Sequence, residues 1–130
     1  MTATNIRDVK ILVVDDEPIN LRLLEEMFSS EDMLNVEYVQ LPVKALESFE
    51  ANEFDLILLD LKMPDIDGFE FMRRARQIKK NCPPILILTA SADVKTKQEA
   101  VEARAQGLIS KPFDAEDILS AIDEIFPSFP

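Results

Sequence analysis

Short apolar runs alternate along this chain with stretches in which apolar residues return every three or four positions. The runs are Ile11-Leu12-Val13-Val14, Val36-Glu37-Tyr38-Val39, Leu56-Ile57-Leu58-Leu59, Ile85-Leu86-Ile87-Leu88 and Leu108-Ile109. The first, third and fourth are continuous, as strands covered on both faces of a parallel sheet must be. The second and fifth are weaker and are placed at sheet edges or in shorter strands. Between the runs, Ile19, Leu23, Leu24, Met27 and Phe28 predict a first helix, with Pro18 in its first turn. Val43, Leu46 and Phe49 predict a second, and Phe69, Met72 and Ala75 a third that runs to about Lys79, before Pro83-Pro84. Asp93 is placed as the cap of a fourth helix reaching Ala105 and ended by Gly107. Asp114 is placed as the cap of a fifth carrying Ile118, Leu119, Ile122 and Ile125. Strand and helix in strict alternation predict a doubly wound α/β domain, a (βα)5 three-layer sandwich around a five-stranded parallel sheet.

In such a sheet, ligands bind beyond the carboxyl ends of the strands. The residues after each apolar run therefore carry the candidate chemistry. Asp15, Asp16 and Glu17 follow the first run, and Asp60, Leu61, Lys62, Met63 and Pro64 the third. Thr89, Ala90 and Ser91 follow the fourth, and Ser110, Lys111 and Pro112 the fifth. One aspartate in one loop needs no explanation beyond its preference for turns. Several carboxylates, a hydroxyl and an ammonium converging on one end of a sheet do. Carboxylates about 5 Å apart repel by roughly 3 kcal/mol at an effective dielectric near 20, so a cluster of them implies a bound cation. A carboxylate can also attack phosphorus to form an acyl phosphate, a transfer that needs chiefly positioning and charge neutralisation. A divalent ion between Asp16, Asp60 and a phosphoryl oxygen would offset the repulsion between two anionic reactants. Lys111 would hold a second oxygen and Thr89 a third.

Composition narrows the field further. Asp and Glu number 25 against 14 Lys and Arg, a net charge of −11. Such a surface is repelled by nucleic-acid phosphates and anionic lipid, so neither direct DNA binding nor membrane binding is expected. No apolar run approaches the roughly 20 residues of a membrane span. The sequence contains no histidine, which removes His-based triads, His-ligated zinc and a phosphohistidine carrier role. Oxygen ligands then point to Mg²⁺, or Mn²⁺ as a similar hard cation. The lone Cys82 cannot form an internal disulfide. With no basic segment leading into an apolar one at the start, a cytoplasmic location is expected. At 130 residues the chain reads as one domain, with Phe126-Pro127-Ser128-Phe129-Pro130 as a tail or the stub of a linker.

Four stretches resemble the receiver domains of response regulators: Ile11 to Glu17, Leu58 to Gly68, Ile87-Leu88-Thr89-Ala90 and Lys111-Pro112-Phe113. Each alone is a weak pattern. All four, in order and at family-like spacing across Lys10 to Phe126, are highly specific. The resemblance implies a single receiver domain over 1–130, with its core at about 9–126. It makes Asp60 the phosphoacceptor, and Asp15, Asp16, Asp60 and the backbone carbonyl of Lys62 the Mg²⁺ site. It makes Thr89 the switch hydroxyl and Lys111 the phosphate-binding lysine, with a cis peptide before Pro112. It implies a switch rather than an enzyme in the ordinary sense, promoting its own phosphorylation and a slow autodephosphorylation. The donor would be a histidine kinase or phosphotransfer protein. The effector would bind the face formed by the fourth helix, fifth strand and fifth helix, with a phosphorylation-dependent dimer as a further family property.

The chain departs from many members at Leu108, where Tyr or Phe commonly stands, so an aromatic flip cannot accompany the threonine shift. Pro42 stands where the turn before the second helix often has glycine and is expected only to reshape a loop. Arg73, Arg74, Arg76, Lys79 and Lys80 are expected to form a solvated face of the third helix. Flavodoxin-like proteins share this fold class, but Asp15-Asp16-Glu17 would repel the phosphate of FMN. No G-x-G-x-x-G follows a strand. Aspartate-nucleophile phosphatases need an acid two residues beyond the nucleophile, where this chain has Lys62. The alternative is a degenerate receiver that acts as a constitutive interaction module, for which Leu108 is the only argument.

Overall fold

The computed structural model describes residues 6–127. After a 3₁₀ turn at Ile6–Asp8, strands and helices alternate: β1 (Ile11–Val14), α1 (Pro18–Ser30), β2 (Val36–Val39), α2 (Pro42–Ala51) and β3 (Leu56–Asp60). These are followed by α3 (Gly68–Ile78), β4 (Ile85–Thr89), α4 (Val94–Glu102), β5 (Gly107–Ser110) and α5 (Ala115–Ile125). The strands form one parallel sheet in the order β2-β1-β3-β4-β5. The two weaker apolar runs are its edges, as their patterns suggested.

Side chains of a strand point alternately to opposite faces, and here both faces are dry. Leu12, Val14, Ile57, Leu59, Ile85 and Ile87 pack against Ala45, Leu46 and Phe49 of α2, Phe71, Met72 and Ala75 of α3, and Ala100 of α4. Ile11, Val13, Leu56, Leu58, Leu86 and Leu88 pack on the other face against Leu24 and Phe28 of α1 and Ile118 and Ile122 of α5. Helices on both faces are why β1, β3 and β4 read as continuous apolar runs. Each fully buried Leu, Ile or Phe contributes about 1.5–3 kcal/mol.

Three local expectations change. Pro42 does not shape a loop; it is the buried first residue of α2, where its fixed φ suits a helix start. The basic stretch of α3 is only partly a solvated face. Arg73 and Arg74 do lie outside, both on Glu70. Lys79, however, lies with Nζ 4.8 Å from the centre of the Phe49 ring and donates to the Asn52 carbonyl at 2.6 Å. Arg76 crosses to the end of α4, donating to the carbonyls of Ala103 and Arg104. Finally, α4 stops at Glu102 rather than Ala105. Its stop is Arg104, at φ 62° in the left-handed region, whose N–H returns to the Val101 carbonyl while that of Ala105 returns to Ala100. Gly107 instead opens β5, where a Cβ would come 3.1 Å from Leu86 Cδ2.

A left-handed non-glycine residue costs about 1–2 kcal/mol, and glycine gives back about 0.5–1 kcal/mol of that through its looser unfolded chain. Arg104→Gly is therefore expected to raise stability by about 0.5–1 kcal/mol in urea unfolding. A loss would show that the Arg104 side chain holds a contact worth more than the strain.

Candidate functional site

Register delivers the acidic residues to one place. Val14 of β1 lies opposite Leu59 of β3, so Asp15 leaves β1 beside Asp60, the last residue of β3. On the other side Asp60 lies opposite Leu88, and Thr89, the last residue of β4, lies opposite Ser110. The Lys111 N–H donates to the Thr89 carbonyl at 2.7 Å, carrying the ladder one residue further. The peptide between Lys111 and Pro112 is cis, as the family resemblance implied. Asp15, Asp60, Thr89 and Lys111 thus meet at the carboxyl edge of the three central strands and β5.

Lys111 Nζ lies 3.1 Å from Asp15 Oδ2 and 3.4 Å from Asp60 Oδ1. The second Asp15 oxygen accepts the Glu17 N–H at 2.9 Å, and Asp60 Oδ1 also accepts the Lys62 N–H at 3.4 Å. Asp15 is fully buried and Asp60 is 3% exposed. Burial pushes the Asp60 carboxyl up to about 6, the Asp15 charge adds to the rise, and Lys111 opposes it. For Lys111, burial disfavours the ammonium, but Asp15 and Asp60 together outweigh it and raise its pKa. Thr89 is buried, with its hydroxyl oxygen accepting the Ser91 N–H at 3.0 Å.

The remaining acidic groups close the cluster. One carboxylate oxygen from each of Asp15, Asp16, Glu17 and Asp60 lies within 4.8 Å of the others. A single lysine cannot neutralise four carboxylates. Asp60 Oδ2 is moreover buried and has no hydrogen-bond partner among the described residues, a position that costs roughly 1–3 kcal/mol unless something binds it. An all-oxygen donor set with an unpartnered buried oxygen fits a hard divalent cation. Asp15, Asp16, Asp60, Thr89 and Lys111 are thus brought to one edge of the sheet, and Lys62 stands beside Asp60 through its N–H. Glu17 was not named as part of the site, although the run of three acids after β1 held the signal. Gly68 was also without a role: its N–H donates to the Leu61 carbonyl at 2.9 Å, folding the start of α3 onto the end of β3.

Known proteins resemble this chain over most of its length. Residues 11–123 match the response regulator receiver domain family. The chain belongs to that family. The receiver domain is 40% identical over 114 residues to the response regulator ArlR of Staphylococcus saprophyticus, covering 87% of this chain and 50% of that protein. It is 34% identical to sporulation initiation phosphotransferase F of Bacillus subtilis, covering 91% of this chain and 94% of that one. Among solved structures, chemotaxis protein CheY4 of Vibrio cholerae superposes with a TM-score of 0.82 at 30% identity, covering 90% and 98% of the two chains. The chain therefore spans about half the length of the first relative and nearly all of the second. It is a phosphoacceptor switch domain of two-component signalling. No helix among the described residues is long and apolar enough to cross a membrane.

Proposed function

We propose that Asp60 accepts the phosphoryl group in this receiver domain, and that the group arrives from a phosphohistidine on a histidine kinase or phosphotransfer protein. The observation that carries the reading is Asp60 Oδ2, a buried carboxylate oxygen with no partner beside a lysine and three further carboxylates. In the transfer, an Asp60 oxygen bonds to phosphorus as the P–N bond breaks. The bonding pair stays on the imidazole nitrogen, which takes up a proton.

Asp15, Asp16, Asp60 and the backbone carbonyl of Lys62 would hold Mg²⁺ or Mn²⁺, and Glu17 stands close enough to join them through water. The cation supplies neutralisation for two anionic reactants. Lys111, already 3.4 Å from Asp60, moves from the carboxylate to a phosphoryl oxygen as charge builds there. Thr89 donates its hydroxyl proton to another phosphoryl oxygen while still accepting from Ser91. The same pocket admits water to the acyl phosphate and gives a slow autodephosphorylation.

The output runs through Thr89 and the loop after it rather than through a ring at position 108. Leu108 is half-buried against the core on the α2–α3–α4 side of the sheet and brings no hydroxyl to re-pair. The α4–β5–α5 face would carry the effector, and with it a phosphorylation-dependent dimer. Phosphorylation shifts that face only by the difference in contacts that Thr89 and Lys111 make in the two states. Asp15, Asp16, Asp60, Thr89 and Lys111 are all present in this chain, which speaks against a constitutive module.

Intact mass after incubation with acetyl phosphate and Mg²⁺ tests the reading. One phosphoryl group is expected per chain, absent in EDTA, and peptide mapping is expected to place it on Asp60. A label that maps elsewhere, or that survives EDTA undiminished, overturns the assignment.

A further inference from the structure

The helix α4 is held very differently at its two ends. Only Ala100 of its nine residues is buried, and Val94 and Val101 are 73% and 76% exposed. Packing alone therefore fixes it weakly. At its N-terminal end, Asp93 caps the helix by accepting the Thr96 N–H at 2.8 Å, a bond within the element itself. Among the described residues, the one hydrogen bond tying residues 90–93 back to the sheet runs from the Ser91 N–H to the Thr89 hydroxyl. A groove of about 560 Å³ is lined by Thr96 and Glu99 of α4 together with Thr89, Ser91, Met63 and Phe69. The N-terminal half of α4 has both room to move and a link to the switch hydroxyl.

The C-terminal end is tied from several directions. The N–H groups of Arg104 and Ala105 return to Val101 and Ala100, both at 3.0 Å, and that of Gln106 joins Ile85 of β4 at 2.8 Å. Ala103 and Ala105 pack on the core. The last two carbonyls of the turn, Ala103 and Arg104, both accept from one guanidinium, that of Arg76 on α3. A planar fork reaching two successive carbonyls fixes their relative orientation, which an ammonium on a flexible stem cannot do. It also holds Arg104 in the left-handed conformation that an L residue adopts only when its surroundings require it.

We propose that Arg76 pins the C-terminal end of α4 to α3, making α4 a lever that moves at its Thr89-linked end when the domain is phosphorylated. Arg76 is then a positioning residue, acting through the α4 turn and touching nothing in the acidic pocket. The lever's motion rests on the phosphorylation reading above; the pin does not.

Amide hydrogen exchange of the full chain, with and without beryllofluoride and Mg²⁺, tests both parts. Without the phosphate mimic, Arg76→Ala is expected to speed exchange at Arg104, Ala105 and Gln106 by about tenfold, the effect of losing charge-assisted hydrogen bonds at the turn. Arg73→Ala, whose partner Glu70 lies on the same helix, is expected to leave those amides unchanged. Arg76→Lys is expected to fall between the two, and it reads the same amides if the alanine variant fails to fold. Unchanged exchange at 104–106 in both Arg76 variants overturns the pin. With the mimic, the native chain is expected to change at residues 90–96 and hold at 104–106, whereas Arg76→Ala spreads the change along the whole of α4. A native response as large at 104–106 as at 90–96 overturns the lever. A native chain that does not bind beryllofluoride defeats the phosphorylation reading and the lever together, while the exchange of the unliganded variants still decides the pin.

Discussion

Asp60→Asn is expected to abolish phosphoryl uptake and, in the absence of metal, to make the domain more stable at neutral pH. The first effect follows from the proposed role of Asp60, since asparagine lacks the oxygen anion that would attack phosphorus. The second follows from electrostatics. Asp60 is almost wholly buried, and its carboxyl is raised from 3.8 to about 6, first by desolvation and then by the neighbouring Asp15 charge. Below pH 3.8 the group is protonated in both the folded and the unfolded chain and its ionisation costs nothing. Between pH 3.8 and about 6 the folded chain holds the proton more tightly, so this group's favourable contribution is lost as the pH rises through that window. Above it the carboxylate is ionised in place at a cost of about 3 kcal/mol. Asparagine carries no such charge, and Lys111 keeps Asp15 at 3.1 Å as its partner. Urea unfolding in EDTA is expected to give near-equal stabilities for variant and native chain at pH 4 and a gap of about 2–3 kcal/mol in favour of the variant at pH 7.5. Added Mg²⁺ is expected to narrow the gap, since a cation that binds the native pocket stabilises it by mass action. A variant less stable than the native chain at pH 7.5 in EDTA would show that Asp60 has a folding role that outweighs its burial.

The acidic edge of this domain was legible because it is written in strand ends. A parallel sheet covered on both faces announces its strands as unbroken apolar runs, and whatever polar residue ends a run must stand at the same edge as the others. Asp15, Asp60 and Thr89 needed no further information to be placed together. Lys111 needed only the ladder bond from its own N–H to Thr89. What the sequence concealed was decided by contacts between elements far apart in the chain. Arg76 reads as one more charge on a polar helix face, and nothing near it in sequence announces the two carbonyls 27 and 28 residues away. The end of α4 was misplaced for a related reason. Glycine is the usual left-handed residue beyond a helix, and Arg104 adopts that conformation without being glycine.

Gly68→Ala is expected to destabilise the domain by about 1–3 kcal/mol and to slow phosphoryl uptake, although Gly→Ala in a helix ordinarily does the reverse. Gly68 opens α3, where alanine would normally gain up to about 1 kcal/mol through propensity and a stiffer unfolded chain. Here a Cβ would sit 2.7 Å from Leu61 Cδ2, 2.8 Å from the Asp60 carbonyl oxygen and 2.8 Å from Leu61 Cα. Two of those atoms are backbone, and the leucine cannot turn away from all three clashes. The strand end or the helix start must shift, and overpacking of this kind costs about 1–3 kcal/mol beyond the propensity gain it cancels. The strand end is Asp60 itself. Its carboxylate is positioned by the same peptide that carries the crowded carbonyl, and the bond from Gly68 N–H to Leu61 at 2.9 Å would lengthen with it. Stability and site geometry are thus expected to fail together. Urea unfolding and the rate of acetyl-phosphate labelling, measured on the same preparation, check this. A variant as stable as the native chain and labelled at the native rate would show that the β3–α3 loop yields freely and that the close approach at Gly68 does not position Asp60.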